Sequence, residues 1–194
     1  MTHQELVDLT AKRIQRLFGC GMILKEATSS RLYMVADVFA VKKGGITFQF
    51  EIKTSLSDFL KDKKKPHRIN PSSDVGVYRY YVAPEGVIKP EHNDILNNPA
   101  QWGIIEVSKG GRFKVIRGID PKKGLEQFDL LNDFKNKANS KAEMELIYSY
   151  FQSMIINSNG NAIKVNAVCE KLCTNVAELQ NIVLYQRSRI TKYC

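Results

Sequence analysis

The stretch that most constrains this chain is Ile46 to Lys53. Ile46, Phe48, Phe50 and Ile52 alternate without a break with Thr47, Gln49, Glu51 and Lys53. Strand side chains point to opposite faces in turn, so this pattern predicts a strand with one apolar and one polar face. Glu51 and Lys53 are two residues apart and share the polar face. Tyr33 to Val41, rich in β-branched and aromatic residues, predicts the strand before it. Lys42-Lys43-Gly44-Gly45 predicts a hairpin turn between the two.

The hairpin brings a second carboxylate into play. If Lys43-Gly44-Gly45 is a three-residue loop, Lys42 lies opposite Ile46, and Asp37 then lies opposite Glu51 on the same face. A slip of one residue would put the two on opposite faces. An aspartate between Ala36 and Val38 also needs a reason, since an uncompensated buried carboxylate is costly. Two carboxylates meeting across a hairpin repel each other, and a divalent cation removes that repulsion. Hard oxygen ligands with bound water suit Mg2+ or Mn2+. The Ile52 backbone carbonyl lies between the two side chains as a further ligand. Lys53 is placed to hold an attacking water and to neutralise charge building on a phosphoryl group.

The elements around this hairpin predict an α/β core. Thr2 to Phe18 has helical spacing at Leu6, Leu9, Thr10, Ile14 and Leu17, a Thr2–Glu5 capping box and a Gly19 stop. Met22 to Glu26 predicts a strand. Ser55 to Lys64 predicts a helix opened by Ser55 and Asp58. Val77 to Ala83 predicts a strand, and Ile104 to Ser108 with Phe113 to Gly118 a hairpin. Composition turns polar after about residue 118. A Ser140–Glu143 capping box opens a helix to about Ile156, and short and long helices follow at 165–172 and 176–192. The division expected is a core over 1–120 and a helical extension over 121–194.

Asp37, thirteen intervening residues and then Glu51-Ile52-Lys53 resemble the PD-(D/E)XK nuclease superfamily, the restriction-endonuclease-like fold. Ser57-Asp58-Phe59-Leu60-Lys61-Asp62-Lys63-Lys64 and Tyr80-Tyr81-Val82-Ala83-Pro84-Glu85-Gly86 look like its MmcB-like branch, which holds DNA-repair and phage or mobile-element proteins. The resemblance covers residues 1 to about 118. It implies a mixed central sheet flanked by helices and metal-dependent hydrolysis of phosphodiester bonds. By position, Asp37 and Glu51 would be metal ligands, Lys53 the catalytic lysine, and Glu5 the glutamate that many members carry on the first helix. Ala36 stands where the family usually has proline.

Charge agrees with a nucleic-acid partner, DNA above all. The chain carries 29 Lys and Arg against 20 Asp and Glu, and residues 42–68 alone hold eight basic and three acidic side chains. Lys61, Lys63, Lys64, Lys65, His67 and Arg68 are the candidate phosphate contacts. Cutting of both strands would favour a homodimer. No apolar run nears the length of a membrane span, and the four cysteines are too sparse for a disulfide scaffold, which suits a cytoplasmic protein.

Plainer readings stand beside these. Glu51 and Lys53 would also suit an exposed cross-strand ion pair of little energetic value. Thr2 accounts for Glu5 as a capping residue. Asp58 and Asp62 would serve as cap and lysine partner, and the basic run as a solvated helix end. His3 and His92 belong to no motif. The expectation is a Mg2+- or Mn2+-dependent nuclease in repair, recombination or phage DNA processing. The alternative is an inactive DNA-binding or adaptor protein of the same fold.

Overall fold

The computed structural model describes residues 1–29, 35–62, 65, 70–89, 91–97, 100–123 and 128–157. In chain order the elements are α1 (His3–Phe18), β1 (Cys20–Ala27), β2 (Ala36–Lys42), β3 (Ile46–Ile52), α2 (Leu56–Asp62), β4 (Tyr78–Pro84), α3 (Asn93–Leu96), β5 (Trp102–Val107), β6 (Phe113–Arg117), α4 (Phe128–Asp133) and α5 (Ser140–Asn157). The six strands form one mixed sheet in sequence order. β1, β2 and β3 are an antiparallel meander, β3–β4 and β4–β5 are parallel, and β5–β6 is antiparallel. The parallel pairs need crossovers, and α2 and α3 lie in the connecting segments. The chain is thus a mixed α/β protein. No helix among the described residues is long and apolar enough to cross a membrane.

Local chemistry explains the first elements. Thr2 caps α1 through a reciprocal box with Glu5, and left-handed Gly19 ends it. The β2–β3 turn has Lys42 opposite Ile46, with Gly44 and Gly45 both at positive φ. That is the three-residue register, and the pairing runs on to Val38 opposite Phe50, one residue short of Asp37 and Glu51.

The sheet is buried on both sides. Against α1, Leu6, Val7, Ile14 and Phe18 pack on Val38, Ala40, Phe48, Phe50, Ile52, Tyr80 and Val82. Phe18 sits among Phe48, Phe50 and Tyr80, with ring centroids 5.2–5.4 Å away. On the other face Phe59 of α2 packs with Tyr81, Ala83, Ile88, Ile95, Leu96 and Trp102. Tyr78, Tyr80, Tyr81 and Trp102 are therefore core residues. Cys20 is buried, and desolvation pushes its thiol up to about 11.

Contacts divide the chain into two compact units, Met1–Leu146 and Ile147–Cys194. The division comes later than the change of composition near 120, because polar side chains tie the following segment to the sheet. Tyr78 donates to the Leu131 carbonyl, buried Arg79 donates to the Lys137 carbonyl, and the Asn136 amide donates to the Gln101 carbonyl. The expected Ser140–Glu143 box is replaced. Asn139 Oδ1 accepts from Ala142 N, while Glu143 Oε1 accepts from the Gly76 N–H at 2.9 Å. Of the second unit, the described part is the end of α5. The helices expected at 165–172 and 176–192, and Cys169, Cys173 and Cys194, lie outside the described residues.

Gly76 is the position where backbone freedom is required. Its φ is +81°, and an added Cβ would lie 2.6 Å from the Gln49 nitrogen. Gly76→Ala should cost about 2–4 kcal/mol. Gly44→Ala, at positive φ but in open space, should cost about 1–2 kcal/mol. Urea denaturation of both variants checks the difference, and equal losses would refute the steric account.

Candidate functional site

The polar face of β3 is buried as completely as its apolar face. Glu51 is 3% exposed and Lys53 2% exposed. This removes the reading of an exposed surface pair. Buried charges persist only when paired and hydrogen-bonded, and the partner comes from α2. Asp62, fully buried at the end of that helix, places Oδ1 2.8 Å from Lys53 Nζ, while Glu51 Oε1 lies 3.0 Å from the same ammonium. Lys65 Nζ lies 2.7 Å from Asp62 Oδ1 and 3.2 Å from Glu51 Oε1. Two ammoniums and two carboxylate oxygens thus alternate around a ring. Tyr81 of β4, opposite Glu51 in the parallel ladder, donates its hydroxyl to Asp62 Oδ2 at 2.7 Å.

Asp37 stands beside this ring at the start of β2. Its Oδ2 accepts from the Ile52 N–H at 2.7 Å, and its Oδ1 lies 3.4 Å from His3 Nε2 on the first turn of α1. Burial, then the charge of Glu51, push its carboxyl up to about 6. The Ile52 N–H, His3 and Lys53 oppose the shift. A carboxyl whose proton affinity is raised by a neighbouring carboxylate gains from a cation placed beside the pair. Among the described residues no group of three or more His, Cys, Asp and Glu is arranged to hold a metal.

The other candidates fall out as follows. Glu5 is exposed, and its Oε2 accepts from the Thr2 N–H in the capping box. Capping is the role its contacts give it. Lys61 is exposed on α2. Lys65, with its side chain 39% exposed, pairs with Glu51 and Asp62. Lys63, Lys64, His67 and Arg68 lie outside the described residues.

The sequence reading did not place Asp62, Tyr81 or His3 in the site. An acidic residue at the buried end of a short lysine-rich helix is a weak signal for Asp62. For His3 the signal is the capped helix start that fixes where it stands.

No family model and no curated protein matches the chain. Among solved structures, the chain is similar to a protein of unknown function from Silicibacter pomeroyi. The identity is 12% and the TM-score 0.47, over 83% of this chain and 95% of that one.

The raised Asp37 pKa has a signed consequence for stability. A carboxyl with a higher pKa folded than its ordinary 3.8 binds protons more tightly in the folded state. Its contribution is full below the ordinary value and is lost as pH rises through about 6. Asp37→Asn keeps an oxygen for the Ile52 N–H and removes the charge. In EDTA at about pH 8 it should stabilise the protein by on the order of 1–3 kcal/mol, and near pH 4 the gain should vanish. Urea denaturation at the two pH values checks this. Equal stability at pH 8 would mean that burial and the Glu51 charge do not penalise the Asp37 carboxylate.

Proposed function

We propose that the chain is a divalent-metal-dependent nuclease of the restriction-endonuclease-like class. The observation that carries this reading is the juxtaposition of Asp37, Glu51 and Lys53 at the ends of β2 and β3. There one carboxyl is held up to about 6, in part by its neighbour's charge. The resemblance of Asp37 and Glu51-Ile52-Lys53 to the PD-(D/E)XK pattern supports it, as does the net charge of +9.

In this reading Asp37, Glu51 and the Ile52 carbonyl hold the cation, Mg2+ or Mn2+. When bound, it would supply positive charge beside the oxygens of the phosphoryl group under attack. The residues of the chain do the rest. The β2–β3 hairpin fixes the spacing of the two carboxylates. Lys53, braced between Glu51 and Asp62, presents an ammonium whose position is set before substrate arrives, so little reorganisation is needed as charge develops. Asp62 holds that ammonium and is itself held by the Tyr81 hydroxyl. The basic surface, including Lys61, attracts the sugar–phosphate backbone of DNA. Repair, recombination or phage DNA processing would be its setting. The second reading, an inactive DNA-binding or adaptor protein, is favoured by the same basic charge alone.

Asp37→Asn separates the two, because it removes a metal ligand without stranding a buried charge. Lys53→Ala would leave Glu51 and Asp62 short of a counter-ion and destabilise by about 3–5 kcal/mol, so its loss of activity would be ambiguous. Purified protein should cleave labelled single-stranded, duplex or branched DNA in Mg2+ or Mn2+ and not in EDTA. Asp37→Asn should lose at least about a hundredfold in rate while keeping salt-sensitive binding. Binding without cleavage under any metal would select the second reading.

A further inference from the structure

Two lysines share the same pair of carboxylate oxygens, and burial distinguishes them. Lys53 is 2% exposed and rises directly after β3. Lys65 comes from beyond the end of α2, where its backbone N–H donates to the Asp62 carbonyl at 3.0 Å, and its side chain is 39% exposed. A buried ammonium cannot leave without displacing packed atoms and stranding the buried carboxylates it pairs with, whereas a half-exposed one on a flexible stem can exchange carboxylate for water or another anion. Lys65 also reaches Glu51 Oε1, an oxygen of the carboxylate assigned to the cation, at 3.2 Å.

Charge completes the argument. Asp37, Glu51 and Asp62 bring three carboxylates, and Lys53 and Lys65 bring two ammoniums. Without a metal, Lys65 offsets charge that a divalent cation would otherwise offset. With a cation on Asp37 and Glu51, the same ammonium sits beside a double positive charge and loses its advantage at Glu51. Its hold on Asp62 Oδ1, at 2.7 Å, keeps it close by.

We infer that Lys65 is a stand-in cation. It neutralises Glu51 in the metal-free protein and passes to a phosphate of the substrate backbone when the divalent cation binds. This rests on the nuclease reading of Asp37 and Glu51. Lys65 is then a positioning residue that couples the two ligands. Phosphate draws it off Glu51 and so favours the metal, and the metal expels it toward phosphate. By linkage the two effects are equal in size.

The test is binding, with no turnover required. Mn2+ affinity of the full chain is measured by calorimetry for wild type, Lys65→Met and Lys109→Met, Lys109 being an exposed turn residue. DNA affinity of each is measured with and without Ca2+, a cation of the same oxygen preference. Removing the competing ammonium should tighten Mn2+ binding in Lys65→Met by about tenfold. Lys109→Met, with the same loss of charge in an exposed turn, should change it by less than about twofold. Ca2+ should strengthen DNA binding by wild type, and this gain should disappear in Lys65→Met. If Lys65→Met does not fold, Lys65→Gln, which keeps a donor to Glu51 without the charge, should show the same tighter Mn2+ binding. Wild-type protein that takes up no Mn2+ overturns the nuclease reading and this role with it. Wild type that binds Mn2+ while the Lys65 variant binds it equally or more weakly overturns the stand-in role alone and makes Lys65 a structural brace.

Discussion

The structure around β3 depends on a ring of alternating charges. Glu51 and Asp62 each meet both Lys53 and Lys65 within 3.2 Å. Three of these four side chains are almost entirely withdrawn from water. Removing any one leaves the others with uncompensated charge in a poorly polarisable surrounding, where that cost is several kcal/mol. The ring therefore specifies more than itself. It requires α2 to end over β3 and requires β4 to lie parallel beside β3, so that Tyr81 reaches Asp62.

The opposite face of the same strand makes the ring rigid. Phe48 and Phe50 pack with Phe18, Tyr78 and Tyr80 under α1. A strand locked on one side by interdigitated aromatic rings cannot shift register to relieve strain on the other. The repulsion between Asp37 and Glu51 is consequently stored and not relaxed. Burial of Asp37 and the neighbouring charge of Glu51 together produce the stability consequence at Asp37.

The hairpin was legible because its determinants are local. Period-two alternation from Ile46 to Lys53 defined the strand, and two glycines defined the turn. Counting along paired strands was enough to bring Asp37 near Glu51. The start of α1 was legible for a similar reason, since a capping box spans four residues. The second capping box misled because Glu143 finds the Gly76 N–H, 67 residues away in sequence. Composition also misled at residue 120. The polar segment that follows belongs to the first unit, held by hydrogen bonds from Tyr78, Arg79 and Asn136.

By itself, the sequence determined the two-faced strand, the hairpin and the pairing of carboxylates, because strand periodicity and turn chemistry act over a few residues. Only the tertiary structure decided that the polar face is buried, that Asp62 and Tyr81 brace Lys53, that His3 stands against Asp37, and that Lys65 pairs with Glu51 and Asp62. These depend on where α2 and α1 end relative to the sheet. Crossover connections and the competition for buried polar groups fix those positions, and neither leaves a periodic trace in the chain.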